Sequence, residues 1–478
     1  MLIFDLSSKG KKGYQLPKLD VDEINLKEYL GEYYREDLKL PEVSELEVVR
    51  HYTRLSQLNY AIDTTMVPLG SCTMKYNPRI NEELANTDLL KNIHPMSPYE
   101  YTQGVLKMMY HLKEILKEIG GFKEVSLQPA AGAHGEFLGL LMIHAYHKDR
   151  GNHHKRLVLI PDTSHGTNPA SASLCGYEVI TVKSDRQGEL DWEDFQKKLT
   201  DQVACLMITN PNTLGIFERK IKRIAEALHE KDALLYMDGA NMNALVGMAK
   251  PGDWGVDVMH FNLHKTFSTP HGGGGPGGGA VGVSERLQDY LPVPQVVFDG
   301  KEYKLDWNKP KSVGKILTFY GHSAIMLRAL LYLLSCGYEL EKVAKYAVLN
   351  SNYLKHLLKE LFLDPYEGEP RMHEFVLSAQ NLLKYGINAM DIAKALLDKG
   401  FYAPTVYFPL TVKEALMIEP TETESLIYLE SFAKALRDIV EEAKENPQAV
   451  KESPKKTPVR RIKEAQANRN PILKASWA

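Results

Sequence analysis

From about residue 100 the chain alternates helical stretches with short apolar runs, and this alternation narrows the folds open to it. Helical patterns such as "EYTQGVLKMMYHLKEILKEIG" and "GEFLGLLMIHAYHKDRG" are interleaved with "RLVLIPD", "YEVITVKSD", "VACLMITNP", "ALLYMDG", "VMHFNLHK" and "GAVGVS". Strands alternating with helices build βαβ units around a mostly parallel sheet. Such sheets bind their ligands at the carboxyl ends of the strands. The residues just past each apolar run are therefore the place to look for chemistry.

Charge offers little guidance. The 478 residues carry 58 Lys and Arg against 61 Asp and Glu, a formal charge of -3, which gives no global attraction to nucleic acid or to an acidic membrane surface. The four cysteines, Cys72, Cys175, Cys205 and Cys336, have no C-x-x-C spacing, which argues against a disulfide framework or a zinc ribbon and points to a reducing, cytoplasmic setting. The start "MLIFDLSSKGKKGYQ" has too short an apolar stretch for an export signal. "SAIMLRALLYLLSCGY" carries Arg328 and falls short of the roughly 20 residues that span a bilayer, so it reads as a core helix.

The expected organisation has four parts. Residues 1–60 are an N-terminal arm of short helices separated by Leu-Pro breaks, and residues 61–330 form the large ligand-binding domain. After a long helical stretch over 323–362, the segments "RMHEFVLSA", "NAMDIAKALLDKG", "ALMIEPT" and "LIYLESFAKALRDIVEEAKEN" make residues 331–445 a smaller α+β domain. Residues 446–478, basic and punctuated by proline, are a C-terminal extension.

Each strand end supplies something. "VSLQPAAGAHGEF" places Ala131, Gly132 and Ala133 at a strand-to-helix turn, where backbone N–H groups and a helix N-terminus suit a phosphate or simply pack tightly. "IPDTSHGTNPASA" places His165 in a loop, either hydrogen-bonded in a turn or offering a flat ring to a planar ligand. "MITNPNTLGIF" puts Asn210 at a strand end, as a turn residue or a donor to a ligand oxygen. "ALLYMDGAN" ends a nearly all-apolar strand in Asp238, whose carboxylate needs a cation or hydrogen-bond donors. "VMHFNLHKTF" ends in Lys265, which pairs with a carboxylate or, near apolar walls and other cations, acts as a nucleophile toward a carbonyl. Arriving in chain order, these are the parts of a pyridoxal 5'-phosphate site: lysine, pyridine-nitrogen carboxylate, stacking ring and phosphate loop.

The longer motifs sharpen this. "GSCTMKYNP" (70–78), "LQPAAGAHGE" (127–136), "DTSHGTNPASA" (162–172), "TNPNTLGIFE" (209–218), "MDGANMNA" (237–244), "NLHKTFSTPHGGGGPG" (262–277) and the tail "TPVRRIKEAQANRNPIL" resemble glycine dehydrogenase (decarboxylating), the P-protein of the glycine cleavage system. The resemblance implies an α/β, fold-type I pyridoxal-phosphate architecture with a mostly parallel seven-stranded-type sheet and a smaller C-terminal α+β domain. It further implies the second subunit of the two-subunit form, a heterotetramer with a homologous subunit 1, glycine as substrate and the lipoylated H-protein as partner. Carried onto this chain, Lys265 would hold the cofactor covalently, Asp238 would keep the pyridine nitrogen protonated, and His165 would stack on the ring. Ala131, Gly132 and Ala133 would take the phosphate, Asn210 the ring hydroxyl, and Ala240 and His264 would complete the cofactor site. "TFYGHSA" (318–324), with His322, is a further phosphate candidate for a neighbouring subunit.

Other readings share parts of this pattern. Another fold-type I decarboxylase or a cysteine desulfurase uses the same lysine, aspartate and histidine, and a scaffold subunit would need none of them. A P-loop is excluded, because Lys265 precedes the glycines rather than following them. Two features stay open at this stage. The run Gly272–Gly275 and Gly277–Gly279 is either a side-chain-free entry for the lipoyl arm or a set of tight turns. Ser71, Thr73, Lys75 and Asn77 either bind an anion or belong to a surface loop. No metal is expected, since His144 and His147 have no carboxylate or cysteine at ligand spacing.

Overall fold

The computed structural model describes residues 2–272, 277–318, 320 and 322–473. The chain divides into two units, one of residues 1–61 with 457–459, the other of 62–456 with 460–478. In the first unit, Asn25 caps a short helix, Leu26–Leu30, and Ser44 and Glu47 form a reciprocal capping box at the start of helix Glu45–Gln57. Tyr14, Leu16, Tyr29 and Tyr33 of this unit are exposed.

The second unit is built on a seven-stranded sheet. Its strands are β1 (Glu124–Ser126), β2 (Leu157–Pro161), β3 (Glu178–Val182), β4 (Val203–Thr209), β5 (Leu234–Gly239), β6 (Val258–Asn262) and β7 (Gly279–Val283), in the spatial order β1-β7-β6-β5-β4-β2-β3. All neighbouring pairs from β6 to β3 are parallel, while β7 runs antiparallel to both β6 and β1. Every apolar run read as a strand is one. The central strand β4 is buried at every residue, as its unbroken run "VACLMIT" requires when helices cover both faces. One covering helix, Ile221–Glu230, buries Ile221, Ile224, Ala225 and Leu228, the i, i+3, i+4, i+7 spacing of one helix face. Parallel strands share a direction, so the ends of β2, β4, β5 and β6 open on one edge.

A hairpin of β8 (Gln295–Phe298) and β9 (Tyr303–Asp306) follows. The small α+β module has its own antiparallel sheet, β10 (Phe375–Ser378), β12 (Ala415–Ile418) and β11 (Thr405–Val406) in that spatial order. Leu354, Phe375, Leu396, Leu416 and Phe432 meet in its core.

Two boundaries differ from expectation. The helical stretch over 323–362 is broken near Gly337, which has a positive φ of 50°, and the segments Ser323–Glu339 and Glu341–Leu358 diverge by 87°. Nor does the large core stop at residue 330: Val343 and Ala344 lie in it, whereas Leu354 and Leu358 of the same helix lie in the small core. No single helix among the described residues is long and apolar enough to cross a membrane.

Candidate active site

Asp238, in β5, is 3% exposed. Parallel register sets His260 of β6 beside it, with Nε2 3.1 Å from Oδ1. Asn168 Nδ2 donates to Oδ2 at 3.1 Å, and the N–H of Ala240 donates to Oδ1 at 2.8 Å. Burial pushes this carboxyl up, but His260, the charge of Lys265 and the Ala240 N–H more than reverse it and hold the group well below the usual carboxylate range. His260 is steadied from behind by the Tyr236 hydroxyl, 2.6 Å from Nδ1.

The helix Gly132–Asp149 points its N-terminus at this cluster. A Cβ on Gly132 would lie 2.3 Å from Asn262 Oδ1 and 3.1 Å from His260 Nε2, so only glycine lets the helix end come this close. Ala131 leads in with extended backbone, and the first-turn N–H groups, including those of Gly132 and Ala133, lack intrahelical acceptors. One turn on, Glu136 accepts the hydroxyls of Thr167 at 2.8 Å and Ser171 at 2.9 Å, tying the helix to the loop after β2. His165 stands exposed in that loop, with Nδ1 2.8 Å from the Thr167 hydroxyl and its ring edge-on to Phe408 at 5.8 Å.

Lys265 follows β6 and donates from Nζ to the carbonyl of Ser71 at 2.9 Å. Its neighbour His264 has Nδ1 within 3.2 Å of both the amide and the carbonyl of Gly278, and its ring faces His271 at 4.9 Å. Burial, with the charges of His271 and Lys265, pushes the His264 imidazole down to about 3, so the ring is neutral at pH 7. Cys72 Sγ lies 3.5 Å from His271 Nδ1, and burial pushes this thiol up, which fits an inert group.

This donor set fits a pyridoxal phosphate. It offers an ionised carboxylate for a pyridine N–H, a helix N-terminus for a phosphate, an amine for an aldehyde and a ring at the mouth of the site. Asn168 Oδ1, buried beside Asp238, has no hydrogen-bond partner among the described residues and is left over for a ligand.

The chain is 70% identical over 474 residues to the probable glycine dehydrogenase (decarboxylating) subunit 2 of Aquifex aeolicus (strain VF5), covering 99% of this chain and 98% of that one. It belongs to the glycine dehydrogenase (decarboxylating) subunit 2 family. The protein of the same name from Alkaliphilus oremlandii (strain OhILAs) is 52% identical, with 99% and 98% covered. The glycine dehydrogenase C-terminal domain family matches residues 343–462, and the aminotransferase class-V family matches 140–302. Among solved structures, the inhibitor-bound glycine decarboxylase (P-protein) of the glycine cleavage system superposes with a TM-score of 0.72 at 20% identity, over 86% of this chain and 94% of that one. The fold is that of pyridoxal-phosphate fold type I, and the chain is an enzyme of glycine cleavage rather than a desulfurase or a scaffold.

Within the glycine dehydrogenase frame, several residues sit differently from expectation. Asn210 is fully buried and spends its amide on the main chain of Glu218, accepting at 2.9 Å and donating at 3.4 Å, so it shapes the loop after β4 instead of facing a ligand. The 70–77 segment is no surface loop. Lys75 is buried against Glu422, Asn243 and Tyr332, while Thr73 donates to Glu419 at 2.5 Å. Gly273–Gly275 lie outside the described residues, as do Phe319 and Gly321 of "TFYGHSA". Gly279 is a packing position, since a Cβ there would lie 2.8 Å from the Ala131 carbonyl. His322 opens on a separate cavity of about 520 Å³, lined also by Lys91, His94 and Arg328.

Sequence reasoning passed over His260, Asn168 and Glu136. His260 left a signal: a lone histidine inside the apolar run "VMHFN", in the strand next to the one that carries Asp238.

Proposed function

We propose that this enzyme decarboxylates glycine on a pyridoxal phosphate held covalently by Lys265 and passes the remaining aminomethyl group to the lipoyl arm of H-protein. The observation that carries this reading is the buried, ionised Asp238 carboxylate, set by β5 and β6 on the same edge of the sheet as Lys265. Bound there, the cofactor supplies an electron sink for the pair left when the substrate carboxyl departs as CO2. Asp238 keeps the proton on the pyridine nitrogen, without which that sink is weak. His165 covers the ring from the mouth. The first turn of Gly132–Asp149, with Ala131, Gly132 and Ala133, binds the phosphate, and Ala240 and His264 close the site around Asp238 and Lys265. Ser71, whose carbonyl accepts Lys265 Nζ at 2.9 Å, would hold that amine when it is free of the cofactor.

The family name "subunit 2" supports assembly with a homologous subunit 1 as a heterotetramer, and the four scattered free cysteines suit a cytoplasmic location. The test is an absorption spectrum of the cofactor-loaded protein with subunit 1, before and after borohydride, with mapping of the reduced lysine. A visible band trapped on Lys265, together with glycine-dependent exchange of labelled CO2, is the expected result. A protein that shows no band and incorporates no label overturns the reading.

A further inference from the structure

The small module also reaches the loop that holds Lys265. His373 and Glu374 stand just before β10 and Glu419 just after β12, and none of the three is more than 1% exposed. His373 Nε2 lies 4.0 Å from both Glu374 Oε1 and Glu419 Oε1, too far for a hydrogen bond. Nearby cations are engaged elsewhere, Lys265 on Ser71 and Lys75 on Glu422. The contacts to the two carboxyl groups come instead from neutral donors: Glu374 accepts the Ser71 N–H at 2.8 Å and Asn241 Nδ2 at 3.0 Å, and Glu419 accepts the Thr73 hydroxyl. Buried among neutral donors, Glu374 is pushed up to about 8 and Glu419 well above its ordinary value.

Glu374 occupies a joint. On one side it holds Ser71, whose left-handed φ of 66° turns the N–H to Glu374 while the carbonyl takes Lys265 Nζ. On the other side it holds Asn241, which also donates to the carbonyls of Pro211 and Asn212 and directly follows Ala240, the residue whose N–H binds Asp238. One carboxyl group therefore links the segment holding the lysine amine to the segment carrying the aspartate. Those two groups address opposite ends of one planar molecule, and a misplacement of about 1 Å costs roughly a hundredfold in rate.

We propose that Glu374 is a positioning residue that sets the Lys265 amine relative to the Asp238 carboxylate, acting through the main chain of Ser71 and the side chain of Asn241, with Glu419 anchoring the same loop at Thr73. The inference rests on the reading that Lys265 holds the cofactor. It deepens that reading by giving the small module a part in the chemistry of the large one.

The experiment compares wild type, Glu374→Ala, Glu374→Gln and Asn241→Ala, each loaded with pyridoxal phosphate and assembled with subunit 1. Borohydride trapping comes first: label on a residue other than Lys265 in wild type overturns the underlying reading, and this proposal with it. With Lys265 labelled, the pH midpoint of the visible band and the CO2-exchange kinetics are measured on the folded fraction. Glu374→Ala is expected to move the midpoint by about half a unit or more and to lower kcat roughly thirtyfold or more, with KM for glycine changed less than about threefold. Glu374→Gln, whose amide carbonyl still accepts the Ser71 N–H while its NH2 meets the Asn241 Nδ2 donor, keeps one of the two links and lowers kcat less than Glu374→Ala does. Asn241→Ala, which cuts the link from the aspartate side, lowers kcat in the same direction and covers the case in which Glu374→Ala does not fold. Wild-type midpoints and kcat in folded Asn241→Ala, and in Glu374→Ala where it folds, whatever their melting temperatures, overturn the proposal and leave Glu374 a packing residue.

Discussion

Asp238 and Glu374 are both almost completely buried carboxyl groups within the field of the same lysine, yet they are driven in opposite directions. Asp238 faces His260 and the Ala240 N–H and is held ionised. Glu374 is buried to the same degree but faces an amide side chain, a main-chain N–H and a second carboxyl group. Burial sets the scale of a shift; the charge of the partners sets its sign. The large domain thus presents a fixed negative charge to the site, and the small module presents neutral acids.

The most drastic way to break this contrast is to remove the cation whose charge reaches both carboxyls. Lys265→Ala is expected to lower glycine-dependent CO2 exchange by roughly a thousandfold or more and to abolish borohydride labelling, with the melting temperature little changed because Lys265 is only half-buried. Next in size is Asp238→Asn, which keeps the shape and removes the charge. About a hundredfold loss of exchange is expected, with the cofactor band shifted, and wild-type exchange in this variant would rule out a need for ionised Asp238.

His165→Ala sharpens the comparison by altering neither carboxyl. An exposed ring costs little stability, so an unchanged melt with roughly tenfold weaker cofactor retention on dialysis is expected. The smallest effect tests the neutral side directly. Because Glu374 is raised to about 8 in the folded protein, its contribution to stability is fully present below the ordinary glutamate value and is lost as pH rises through about 8. The drop in melting temperature between pH 6 and pH 9.5 should therefore be smaller in Glu374→Gln than in wild type; equal drops would show that Glu374 is already ionised at pH 6.

The two sides also differed in how far they could be read from the sequence. Asp238 lies at the end of β5, and Lys265 and His165 follow β6 and β2 within four residues, so their positions followed from the apolar runs, while their roles came with the motifs around them. His373, Glu374 and Glu419 flank the short strands β10 and β12, and nothing local indicates that residues so distant in the chain come to lie behind Lys265. Ser71 contributes a main-chain carbonyl, which leaves no mark on residue type. Asn210 failed for a related reason: a polar residue at a strand end reads the same whether it serves a ligand or the turn that follows.

The loop that receives Lys265 is held by Glu419, 346 positions further along the chain. During synthesis at roughly 5–20 residues per second, Thr73 emerges tens of seconds before the residue that fixes it. A nascent chain with its seven-stranded sheet already formed still lacks the anchor for its own catalytic amine. Assembly of a competent site is thus timed by the last strand of the small sheet, and a premature stop between Lys265 and that strand leaves a polypeptide that displays the lysine without the means to hold it.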